Sequence, residues 1–126
     1  MTEFLRSGCP LAHGLDLLGD KWTLLVLRDL FRGKRRFGVF QDSPEKIASN
    51  ILAERLRRLE EAGLVERHRY QERPPREEYR MTMRGAETLP IIQAMVGWAH
   101  KHYPETWTPP AQLATMTPAE WMELNS

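Results

Sequence analysis

Apolar residues recur at helical spacing along most of this chain and alternate over only one short stretch. In "CPLAHGLDLLG", Leu11, Leu15 and Leu18 fall on one helical face, with Pro10 at a first helical position and Gly19 past the end. A second helix follows in "DKWTLLVLRDLF". Asp20 is placed to cap it, and Trp22, Leu25, Val26 and Leu30 give it a broad apolar face. Gly33 and the basic turn "RGKRRF" end that helix. "FGVFQDSPEKIAS" reads as a short helix, a Ser43-Pro44 turn and a new helix, because proline biases the residue before it away from helical angles.

The most regular segment is "SNILAERLRRLEEAGLV". Ala48, Leu52, Leu56, Leu59 and Gly63 share one face and predict the core side. Asn50, Glu54, Arg57 and Glu61 lie opposite, with Ala53 and Arg58 on the edges. Gly63 is expected to close the helix in the left-handed conformation that residues with a Cβ resist. "LVERHRY" then alternates, "QERPPREE" interrupts, and "YRMT" resumes. That pattern predicts a β-hairpin starting directly after Gly63, its tip too long and stiff for a two-residue turn. Thr82 is placed to cap one long helix from Met83 to about His102, with Pro90 bending it. Its apolar positions include Ala86, Leu89, Ile92, Met95, Val96, Trp98 and Ala99.

After Tyr103-Pro104 the chain turns rich in Pro and Thr. "TPAEWMEL" within it has the marks of a helix start: Thr117 as cap, Pro118 next, Glu120 three residues after the cap. The expected organisation is a domain over residues 1–103 and an extension over residues 104–126 with a short helix near 118–124. A helix-turn-helix followed at once by a hairpin is the winged form of the motif. The predicted fold class is therefore mainly α with a small β-hairpin wing.

Charge sharpens this picture. The net charge is only +1, yet residues 21–84 hold 16 Lys and Arg against 10 Asp and Glu, while the rest hold 2 against 7. A basic middle between acidic ends favours an anionic partner, nucleic acid first. In a winged helix-turn-helix the second helix of the motif enters the major groove by its first turns. Those turns carry Ser49, Asn50, Ala53 and Glu54, followed by Arg57 and Arg58. Asn50 suits a bidentate pair with adenine, and Ala53 suits a thymine methyl. Glu54 would repel phosphate unless it meets a cytosine amine or pairs with Arg57 or Arg58. Arg55 stands nearer the core edge, where bracing the helix and touching DNA are equally open. Lys21, Lys34, Arg35 and Arg36 fall where backbone contacts are expected, and Arg73 and Arg76 flank the stiff Pro74-Pro75 tip. The rival reading is a winged-helix protein-interaction module without DNA binding, and Glu54 is its best support.

"CPLAHGLDLLGDKW", "RRFG", "LAERLRRLEEAGLV" and "PPREEY", in this order over residues 9–103, make the chain similar to the HxlR-type family of bacterial winged helix-turn-helix regulators. The resemblance implies a homodimer, joined through the first and last helices, that represses or activates transcription from palindromic operators. Gly19-Asp20 departs from the family's usual glycine pair, and the tail after Pro104 is longer and more aromatic than the family pattern. The last helix gives the dimer a separate argument. Its apolar residues surround much of its circumference, more than one small domain covers, unless the segment between Trp107 and Trp121 folds back over it.

Cys9 is the lone cysteine, so no intrachain disulfide forms. It precedes Pro10 at a helix start, a position at which a thiol can become reactive. Some members of the resembling family sense oxidants or electrophiles through a cysteine here, which makes Cys9 a candidate sensor; an inert packing thiol is the alternative. The four histidines, His13, His68, His100 and His102, lack ligand spacing, so no metal is expected. His100 and His102 suit a helix end, where a cation is favourable. No nucleophile–base pair, phosphate-cradling glycine loop or cofactor pattern stands out, so an enzyme is not expected and no cofactor is assigned. A cavity between dimer helices leaves room for a small-molecule effector. No apolar run reaches membrane-spanning length, and no apolar leader is visible at the start; a cytoplasmic protein is expected.

Overall fold

The computed structural model describes residues 6–125. The first residues, from which the lack of an apolar leader was partly read, lie outside them. Helices α1 (Pro10–Leu18), α2 (Thr23–Phe31), α3 (Phe37–Phe40) and α4 (Ser49–Glu61) come first. An antiparallel hairpin follows, β1 (Val65–Gln71) with β2 (Arg76–Met81). Then come α5 (Met83–Ala86), α6 (Leu89–His102), a 3-10 turn at Ala111–Leu113 and α7 (Pro118–Asn125). Mainly helical with a two-stranded wing is the fold class the pattern predicted.

The core forms where the apolar faces of α2, α4 and α6 meet. Leu27, Leu52, Leu56, Leu59 and Leu89 are fully buried there, with Phe31 and Phe40 beside them. Truncating one such leucine to alanine costs about 2–5 kcal/mol. The expected core face of α4 is correct at its three leucines and wrong at both ends. Ala48 and Gly63 are exposed, because they lie outside the helix as its N-cap and as the residue after its C-cap. Ile47, one residue earlier, takes the buried place.

Gly63 has φ +81 and turns the chain straight into β1, as its position predicted. The hairpin pairs Val65 with Met81 through to Gln71 with Arg76, with an irregularity between Arg69 and Gln71. Its tip is residues 72–75. Gly85 closes the other end of the wing. A Cβ there would stand 2.1 Å from the Leu64 carbonyl oxygen, so only glycine lets α5 approach β1 this closely.

Asp20 caps α2 from farther out than expected. The helix begins at Thr23, and the Asp20 carboxylate accepts from the backbone N–H groups of Trp22 (3.0 Å) and Thr23 (3.1 Å). The single long helix expected from Met83 is two. Thr82 does cap α5, accepting from Gly85 N at 3.1 Å. The helix then stops at Glu87 and Thr88, and the Thr88 hydroxyl donates to the Gly85 carbonyl at 2.6 Å. Pro90 is the reason: it lacks an N–H and its ring would clash one turn back, so α6 restarts with Pro90 in its first turn.

The tail packs onto the domain. Thr117 and Glu120 form a reciprocal capping box, with both bonds at 3.1 Å, and start α7. Trp121 is buried, stacks edge-on against Phe31 at 5.1 Å, and donates its indole N–H to the Phe31 carbonyl at 2.9 Å. Leu113 is buried too, and Gln93 of α6 donates to the carbonyls of Gln112 (3.2 Å) and Met116 (2.7 Å). The tail covers the side of α6 that faces α2. Ile91, Met95 (56% exposed) and Trp98 (61% exposed) stay uncovered on α6, as do Leu11 (72% exposed) and Leu15 on α1.

Candidate nucleic-acid interface

The outer surface of α4 is set by its leucines. With Leu52, Leu56 and Leu59 buried, Ser49, Asn50, Ala53 and Arg57 face outward. Among the described residues no side chain caps this helix start, which leaves its first N–H groups open to an acceptor from outside.

The helix is pinned by an ion-pair network that sequence spacing concealed. Arg55 donates from Nε to Asp20 Oδ2 at 2.8 Å and also pairs through Nη1 with Glu54. One guanidinium thus ties the base of α2 to α4 across 35 residues of chain. The sequence left Arg55 between bracing and reading; its contacts are those of a brace. Burial pushes the Asp20 carboxyl upward, but the hydrogen bonds from Thr23, Arg55 and the Trp22 and Thr23 backbones outweigh it and hold the group well below the usual carboxylate range.

Glu54 is the acid among the outward residues at the start of α4. Its partner is Arg55, with Arg57 and Arg58 each 3.9 Å away. Pairing with Arg57 or Arg58 was the expectation, and Arg55 was missed because adjacent residues on a helix do not normally face each other. Arg58 donates to the Asp16 carbonyl at 3.2 Å and braces α1. Arg57 is exposed and pairs with Glu61 one turn on at 2.6 Å.

The basic turn between α2 and α3 divides into inward and outward members. Lys34 donates to Ser43 Oγ at 3.1 Å and lies 3.9 Å from Asp29. Arg35 bonds the Asn125 carbonyl at 3.0 Å and lies 3.6 Å from buried Glu78. Arg36 instead lies over the Tyr70 ring at 3.9 Å. The turn is also stitched to the wing by the Tyr79 N–H, which donates to the Arg35 carbonyl at 2.7 Å. Tyr70 was not among the expected site residues; its place in the alternation of β1, on the face with Glu66 and His68, was the available signal. Arg73 and Arg76 are exposed at the wing tip. Lys21 is exposed, its ammonium 5.3 Å from the Trp22 ring.

Cys9 is exposed at the N-cap of α1. Among the described residues no group of His, Cys, Asp and Glu has metal-binding geometry, and no helix is long and apolar enough to cross a membrane.

The model of the HxlR-like helix-turn-helix matches residues 17–107. An uncharacterized HTH-type transcriptional regulator of Synechocystis, sll1512, is 47% identical over 87 residues, which is 69% of this chain and 64% of that relative's length. The uncharacterized HTH-type transcriptional regulator YdeP of Bacillus subtilis is 38% identical over 76% of this chain and 75% of its own. Among solved structures, the redox regulator HypR in its reduced form superimposes with a TM-score of 0.69 at 33% identity, covering 75% of this chain and 93% of HypR. The reduced form of the transcriptional regulator YodB from B. subtilis gives a TM-score of 0.65 at 31% identity, covering 79% and 100%.

Proposed function

We propose a function from one premise: this chain belongs to the HxlR-like helix-turn-helix family, whose relatives are described as HTH-type transcriptional regulators. The reading is a homodimeric regulator that binds a palindromic DNA operator in the cytoplasm, with no catalytic role. The observation that carries it is the outward, uncapped first turn of α4, bearing Ser49, Asn50 and Ala53 beside exposed Arg57. These residues read bases, Asn50 foremost. Lys21, Arg36, Arg73 and Arg76 contact phosphates and supply most of the affinity. Lys34, Arg35 and Arg58 act mainly by holding the turn, the wing base and α1 in place, in keeping with their internal bonds. Glu54 favours the rival reading of a protein-interaction module; the three arginines around it offset its charge, which supports the DNA reading.

The dimer reading is supported by the exposed apolar face that the tail leaves on α1 and α6. Two copies joined there would present two reading helices on successive turns of one DNA face. In-vitro selection of bound duplexes tests the reading. A palindrome is expected; recovery of no preferred sequence would count against it.

A redox or electrophile response through Cys9 is the finer part of the proposal. Its thiol is exposed at a helix start, and HypR, a redox regulator by description, has been solved in both reduced and oxidised forms. Full labelling of Cys9 that leaves operator binding unchanged would remove it.

A further inference from the structure

The tail roofs a cavity of about 520 Å³ against α2 and α6. We propose that this cavity is an effector site for a small amphipathic carboxylate, one with an aromatic or alkyl body.

The cavity is built rather than incidental. Its roof is fastened at both ends. Thr106 meets His100 Nδ1 at 3.0 Å and donates to the Tyr103 carbonyl at 2.7 Å, and Leu113 is buried beyond Pro110. Between these points run Trp107, Thr108 and the Pro109-Pro110 pair, which stiffens the span. The volume falls within the range of small-molecule sites, about 300–1,000 Å³.

The lining selects the ligand. Val96, Ala99, Pro110 and Leu113 offer apolar wall, and Trp107, 80% exposed, stands at the mouth with its ring free to cover an aromatic body. Three cations, Arg28, Arg32 and Lys34, line the cavity against one carboxylate, Asp29. Arg28 is already satisfied by Glu45 (2.8 Å) and Asp29 (2.9 Å). Arg32 has no acidic partner among the described residues, so it is the group that would take a carboxylate. Lys34 is shared between Ser43 and Asp29.

The site also touches the DNA-binding motif. Pro44 lines it, and Ser43 bonds to both Lys34 and Asp29, so the turn between α3 and α4 forms part of the wall. An anion on Arg32 and Lys34 draws Lys34 from Asp29 and loosens that turn. This coupling rests on the DNA reading; the binding does not.

Calorimetric titration of the full chain without DNA tests the binding, using 3-phenylpropionate and octanoate as probes and 3-phenylpropanol as the uncharged control. The expected result is saturable binding of a carboxylate probe, about tenfold or more weaker for the alcohol and for Arg32→Gln. Trp107→Ala, at an exposed position, should weaken 3-phenylpropionate more than octanoate. Failure of both carboxylates to bind overturns the proposal, as does binding that Arg32→Gln leaves unchanged. Operator binding by the same proteins without probe reads the DNA function separately, and Arg32→Gln should retain it.

Discussion

Asp20 and Arg55 matter most at the scale of the residue, because they set where α4 points without facing a partner molecule. Asp20 accepts from two backbone N–H groups, the Thr23 hydroxyl and the Arg55 guanidinium, which holds its carboxyl low. A depressed folded-state pKa contributes stability above the unfolded value, about 3.9 for aspartate, and loses it as pH falls toward the folded value. Asp20→Asn should therefore melt below the parent at neutral pH, with the gap constant down to about pH 4 and narrowing under further acidification. Melting curves across that range check this; a gap that does not narrow would contradict it. Arg55→Ala should lower operator affinity through misplacement of α4, and should lower the melting temperature as well. Affinity lost at unchanged melting temperature would instead make Arg55 a reader. Neither partner was legible as a pair, since nothing in local spacing joins positions 35 apart. Asn50, Ala53 and Arg57 were legible as outward residues, because a leucine period fixes the opposite face.

Among the elements, those with strong local signals were read well. Helix α4, the hairpin launched by Gly63 and the capping box of α7 follow from residues a few positions apart. The helix after Thr82 reads as one bent helix because its apolar period continues past Pro90, whereas Pro90 in fact splits it at Glu87 and Thr88. The tail illustrates the other limit. Its helix was readable, but its docking rests on Trp121 meeting Phe31, a contact across 90 residues. Trp121→Ala should cost about 3–5 kcal/mol from lost packing, and it also leaves the Phe31 carbonyl without its indole donor. Denaturant unfolding measures this. A loss under about 1 kcal/mol would mean the tail adds little to the fold.

For the whole molecule, the exposed bases and the uncovered apolar residues fall on different elements. Arg36, Arg73 and Arg76 lie exposed on the turn and the wing, while Met95, Trp98, Leu11 and Leu15 lie exposed on the two helices expected to join copies. Met95→Glu should shift the protein toward monomer in sedimentation and weaken binding to a full palindrome far more than to a half-site. An unchanged sedimentation profile would place the dimer contact elsewhere.

The central claim is that α4 reads bases while Lys21, Arg36 and the wing tip hold phosphate. The most direct measurement titrates the parent, Asn50→Ala and Arg76→Ala against the selected operator and a random duplex over a series of salt concentrations. Asn50→Ala should lose about 1–3 kcal/mol on the operator and little on random DNA, with an unchanged salt slope. Arg76→Ala should weaken both duplexes alike and flatten the slope by about one. Equal losses on both duplexes for Asn50→Ala, or parent binding that ignores salt, would contradict the account.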